Sequence, residues 1–558
     1  MSTVRLFSSN LWNSWPDWQF MQSPRRKQTT PAGVTLVSLR ISVWILVLFL
    51  CPCAEASSAA EIARAVQQLI EQGDLAGARN QLARALKQYP VEPDLHNLLG
   101  VVEAQTGNYQ LAESSFLRAI ELAPGAPGTY LNLGRLYQEN ATRDGQAPRK
   151  ALETYRGLLK YHPTDVEGNY QCALLLQQQG DLRASLDHLA RLSAADQQRA
   201  QALAVRCADY AALGDFSQAT EAASRLLASP ELSEPDVLAI LPTIEARQSK
   251  ESADLQLRLV EGLVDRRLAS APALHKLAFL YENRERLDQA RQTLERVAAL
   301  SGPTPDLLLQ LARLAHKQRD YQGALGYLAH ARDLKPDEAG IHFFFGMVCV
   351  QLNLGAEAYE SLSRAVSLEP KNAYYNYAMG AVSLQRRGAS EAVPYFRKYC
   401  DLNPEDPRGG LMLGIAFLES ADLESARKEL EEAARHHETV VGAHFYLARL
   451  ARQEGKLPEA LQAVEKALAA HPDHADAYAE LGLIRFRLRE YGPAEKALLR
   501  ALEVDPDNYS GNFNLLMLYR RIGDRRAEAQ ARRFEEVKNK RMQRAQDFLR
   551  QIEIRPYE

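Results

Sequence analysis

What the chain lacks narrows its function first. It has six cysteines and four tryptophans in 558 residues, and Trp12, Trp15, Trp18 and Trp44 all precede residue 57. No Gly-rich phosphate loop, H-E-x-x-H, nucleophile elbow or C-x-x-C spacing occurs, so the common sequence marks of catalysis are missing. Net charge is small, formally −3, which implies no general attraction to nucleic acid or to an acidic membrane. The apolar run Ile41–Cys51 is short for a membrane span of about 20 residues.

That run still has a reading. Arg25, Arg26, Lys27 and Arg40 precede it, and Ala54-Glu55-Ala56 follows in an A-x-A pattern. Basic flank, apolar stretch and small-residue site together predict a secretory signal over 1–56, with an unusually long start. The alternative is an uncleaved anchor formed by residues 34–54. Either predicts an exported protein in a periplasm, an envelope or a secreted state.

Beyond residue 57 the chain repeats itself every 34 residues. Pro336, Pro370, Pro404, Pro472 and Pro506 stand on one grid, with Glu438 in the remaining slot. Small residues stand on two more: Ala312, Gly346, Gly380, Gly414, Ala448 and Gly482, then Ala324, Ala358, Ala392, Ala426, Ala460 and Ala494. Each period holds two segments of helical periodicity parted by a polar break such as Gly455-Lys456. Small places let paired helices approach, larger ones such as Leu430 and Leu498 fill around them, and the proline ends the second helix. A hairpin of this kind cannot bury its apolar face alone and must stack on neighbours.

At these places the chain resembles the tetratricopeptide repeat family. The pattern fits Tyr478, Leu481, Gly482, Tyr491, Ala494, Leu498, Ala501 and Pro506 in one unit, and Tyr130, Leu133, Gly134, Tyr137, Ala151, Tyr155 and Pro163 in another. The resemblance implies an all-α fold, a right-handed superhelical α-solenoid of about 14 stacked hairpins. The predicted layout is an N-terminal array over 57–234, a degenerate hairpin or joint over 235–270 around Pro235 and Pro242, a second array over 271–526, and a polar capping helix and tail over 527–558. Five extra residues in the third unit predict a loop near Asn140–Pro148.

Isolated reactive residues fit structural roles. Cys172, Cys207, Cys349 and Cys400 fall beyond the predicted signal. Cys172 and Cys207 take adjacent places in successive units and read as core thiols, with a disulfide as the alternative. His437 and His471 share one repeat place, near His436 and His474; they read as solvated or capping residues, since stacked units about 10 Å apart do not share a metal ion. No metal or cofactor is expected. The basic segment Arg520–Arg550 reads as a solvated end cap.

The family resemblance also implies a working surface, the concave face lined by the first helix of each hairpin. Its ligand-facing places hold Phe343, Phe344 and Met347; Tyr374, Tyr377 and Leu384; Leu411, Met412 and Ile415; Phe445, Tyr446, Arg449 and Arg452; and Phe513, Asn514, Arg520 and Arg521. An apolar trough beside arginines suits an extended peptide or an amphipathic helix carrying acidic residues; the alternative is a trough filled from within, by the tight superhelix or by the chain's own N-terminal arm. The lysine–asparagine clamp of some family members is not matched: Asn132 and Asn514 stand at its asparagine place without the lysines. The expectation is a non-enzymatic scaffold or adaptor for protein partners. The alternatives are a docking subunit of a polysaccharide-, pilus- or protein-export machine, with a membrane-associated complex as partner, and a repeat-associated enzyme with unrecognised catalytic residues.

Overall fold

A computed structural model describes residues 57–386 and 388–553, with side chains for 59–386 and 388–540. The signal or anchor expected over 1–56 lies outside the described residues, and among those residues no helix is long and apolar enough to cross a membrane. The described residues contain 28 α-helices, which pair in chain order into fourteen hairpins, the number the 34-residue period predicts. They fall into two compact units, one ending at Gly302 and one beginning at Pro303, with seven hairpins in each.

The turn inside each hairpin follows from its sequence. Gly73, Gly180 and Gly214 take left-handed backbone, with φ of 78°, 82° and 88°, which ends the first helix at little steric cost. The aspartate after each glycine starts the second helix. Asp74 accepts the Gly77 N–H at 2.8 Å, and Asp181 and Asp215 accept those of Ala184 and Gln218, filling donors the helix leaves open. In four hairpins of the C-terminal unit the left-handed place holds Arg319, Asn353, Ala421 and Arg489, with φ between 55° and 64°, where a side chain is strained.

The small-residue grids mark where the paired helices touch. A Cβ on Gly346 would meet Leu362 at 2.7 Å, one on Gly414 would meet Leu430 at 2.8 Å, and one on Gly482 would meet Leu498 at 2.5 Å. Gly380 faces Phe396 in the same way. Ala358, Ala392, Ala426, Ala460 and Ala494 are fully buried. The third hairpin keeps this contact, Gly134 against Tyr155, although seven residues rather than three part its helices, Pro127–Glu139 and Ala147–Tyr161. The irregular stretch 235–270 also folds as a hairpin, Glu234–Glu245 and Lys250–Asp265, with Pro235 in its first turn and Pro242 inside the first helix.

A latch recurs between hairpins. The carbonyl of the inter-hairpin proline accepts a hydrogen bond from a side chain six residues on, in the next first helix. His96 bonds Pro90 at 2.9 Å, Tyr130 bonds Pro124 at 3.0 Å, Asn169 bonds Pro163 at 2.9 Å and His342 bonds Pro336 at 2.7 Å. Asn376 and Asn512 do the same to Pro370 and Pro506. Each donor satisfies a carbonyl that the end of a helix leaves open.

Candidate functional site

All seventeen expected groove residues lie in the C-terminal unit, on the first helices of successive hairpins: Ala339–Gln351, Ala373–Arg386, Pro407–Glu419, Val440–Gln453 and Tyr509–Ile522. They differ sharply in exposure. Phe343, Phe344 and Met347 are buried in one core cluster. Leu384, Leu411, Met412, Ile415 and Tyr446 are buried in a second, with Tyr377 and Phe445 packed against it, and Tyr374 is half-buried.

An open apolar trough over these places therefore needs correction. Helical spacing puts the residues on one face, but consecutive first helices stack and cover part of it. Phe343 lies face to face with Tyr375 of the next hairpin, ring centroids 4.6 Å apart. Phe445 stacks on His474 at 5.4 Å. Burial also pushes the Tyr377 hydroxyl up to about 12, a sign of a dry setting.

The arginine rim needs the same scrutiny. Arg449 pairs with Glu419 at 3.0 Å and lies over the Tyr446 ring. Arg452 pairs with Glu480 of the following hairpin, and both side chains are largely buried. Neither charge waits for an acidic ligand. The neutralising carboxylates were readable in principle: Glu480 follows Arg452 by 28 residues, the step from the end of one first helix into the next.

The last hairpin differs. On Tyr509–Ile522, Phe513 and Met517 are 42% and 39% exposed. Asn514 is half-buried beside them, and Arg520 and Arg521 are exposed and make no ion pair among the described residues. The Phe513 ring lies 5.5 Å from that of Phe534, tilted by 51°. Other bases of this end are engaged: Arg526 with Glu495 and Asp524, and Arg533 and Lys540 with Asp507.

Cys172, Cys207, Cys349 and Cys400 are free thiols, and burial pushes the first three up to about 12. His474 caps a helix, its Nδ1 accepting the Ala477 N–H at 3.2 Å; burial holds its pKa below the usual imidazole value. Among the described residues no three His, Cys, Asp or Glu side chains gather as a metal site would require.

Comparison with known proteins bears on the family. The model of the tetratricopeptide repeat matches residues 64–127, 275–339, 411–475 and 447–513. A curated human relative, protein O-mannosyl-transferase TMTC3, is 26% identical over 245 residues, 42% of this chain. That match covers 26% of the human protein's length, and 16% of the mouse counterpart's. Among solved structures, a tetratricopeptide repeat protein from Parabacteroides merdae is similar at 16% identity over 44% of this chain and 98% of its own, with a TM-score of 0.38. The APC/C hetero-tetramer Cut9–Hcn1 is similar at 12% identity over 83% of this chain and 97% of that one, with a TM-score of 0.35. At these scores the likeness carries nothing further.

Proposed function

From a chain built of tetratricopeptide repeats, we propose a non-enzymatic scaffold that holds protein partners on the first-helix face of its C-terminal unit. One observation carries this reading: in the last hairpin that face presents exposed Phe513 and Met517 beside Arg520 and Arg521, which are exposed and make no ion pair among the described residues. Apolar anchors flanked by arginine are what protein interfaces concentrate. The transferase named in the human relative is not assigned to this chain, because the match spans a quarter of that protein. Export remains part of the proposal on the sequence of 1–56 alone, and N-terminal sequencing of the native protein tests it.

The test of binding is affinity capture with the full chain beside a Phe513→Asp, Arg521→Glu variant of unchanged circular dichroism. Partners held by the first and lost from the second support the scaffold reading. Identical captures remove this face from it, and turnover of any substrate by the purified chain refutes the non-enzymatic part.

A further inference from the structure

From Ala339–Gln351 to Tyr509–Ile522, consecutive first helices in the C-terminal unit pack against one another. The place filled by Phe513 holds Phe343, Leu411 and Ala479 in earlier hairpins, at 1%, 8% and 1% exposure, and Tyr377 and Phe445, which are partly buried. The place filled by Met517 holds Met347 and Ile415, at 4% and 3%, and Arg449 and Leu483, which are partly buried. Among the described residues the series of first helices ends at Tyr509–Ile522. The final helix, Ala527–Glu553, runs on unbroken where another hairpin would begin, so both places lie open.

The chain itself shows what such a site accepts. Two periods before Arg520 stands Arg452, at the same place in its hairpin, and Arg452 holds Glu480, the sixth residue of the helix Ala475–Arg487 stacked on it. The aromatic place is met three residues earlier in the incoming helix, as Tyr375 meets Phe343. Arg520 offers the same guanidinium, and among the described residues no carboxylate is paired with it.

We propose that the open end of the stack is a docking site for an amphipathic helix of a partner protein. That helix carries an apolar or aromatic residue and, three residues later, an aspartate or glutamate. It seats end-on as a fifteenth first helix: its apolar residue covers Phe513 and Met517, and its carboxylate pairs with Arg520. Charge selects a partner over a second copy of this chain, because two such ends face to face would set Arg520 and Arg521 against their own kind. The proposal rests on the protein-binding reading above and names the partner's chemistry.

The probe is a fluorescein-labelled, hydrocarbon-stapled peptide copying residues 474–488, the segment that fills the equivalent place over Arg452. Its anisotropy is followed against the full chain. The expected result is saturable binding, weakened at least about tenfold by Arg520→Glu and restored when the same variant meets a peptide carrying Glu480→Lys. No saturable binding, or binding indifferent to Arg520→Glu, overturns the proposal. So does a dimer in analytical ultracentrifugation that Met517→Glu dissolves, which would assign the end to a second copy. Arg520 is exposed, so its variants are expected to fold, and circular dichroism checks this. If Arg520→Glu leaves partner capture by the full chain intact, the end site falls while the scaffold reading stands.

Discussion

Replacing Asp209 with asparagine should stabilise the N-terminal unit at neutral pH. Asp209 lies in the first helix of the fifth hairpin, Ala200–Leu213, with no exposed surface. Its carboxylate accepts the Ser185 hydroxyl at 2.6 Å and the Gln177 amide at 2.8 Å, both neutral donors. Burial raises its pKa from 3.8 to about 6, against the pull of those two hydrogen bonds. The folded state thus binds the proton more tightly than the unfolded one. Stability is greatest below the unfolded value, falls as pH rises toward about 6, and is flat above it. At 1.36 kcal/mol per pH unit the difference amounts to about 3 kcal/mol, which asparagine avoids while keeping the shape: its oxygen accepts the Gln177 amide and its N–H donates to the Ser185 hydroxyl oxygen. A stack of repeats does not unfold in one step, so the assay is local: amide hydrogen exchange of peptides from 166–213 at pH 7.5 and pH 4, corrected for intrinsic rate. Asp209→Asn should raise protection at pH 7.5 by up to about 150-fold and change little at pH 4. Lower protection in the variant at pH 7.5, or an unchanged pH dependence, would refute the account.

Three further outcomes follow from the packing. Ala421→Gly should stabilise its hairpin by about 0.5–1 kcal/mol, because Ala421 sits at φ 64° where glycine avoids the steric cost; slower exchange in helices Pro407–Glu419 and Leu423–Ala433 would show it. Asn376→Ala should cost about 1–2 kcal/mol by stranding the carbonyl of Pro370, read as faster exchange on both sides of that junction. Cys172, Cys207 and Cys349 should resist iodoacetamide at pH 8 in the native state and react once the chain is denatured, with mass spectrometry reading each site.

The sequence was most legible where physics demands one residue type. Gly346, Gly414 and Gly482 reveal themselves because only a missing side chain admits Leu362, Leu430 and Leu498, and Gly-Asp pairs announce the hairpin turn because left-handed backbone and a helix cap each narrow the choice. The site was less legible. Repeat place shows which way Phe343 or Met412 points, but whether the next helix covers it depends on stacking, which no single period contains. Arg452 looks like a rim charge until Glu480, 28 residues away, is seen to neutralise it. The latches were hidden for a different reason: histidine, tyrosine and asparagine all serve, so the place carries no repeated letter.

That freedom of donor has a consequence for how the chain can change. Because the acceptor is a main-chain carbonyl, it survives every substitution, and any side chain that brings a donor to within about 3 Å closes the junction. Asparagine, tyrosine and histidine are then interchangeable steps at His96, Tyr130, Asn169, His342, Asn376 and Asn512, and imidazole donates whether neutral or charged. Mutational drift can pass through these junctions one at a time without bending the path of the helices. The architecture is held by backbone geometry, and the letters of the sequence are left room to wander.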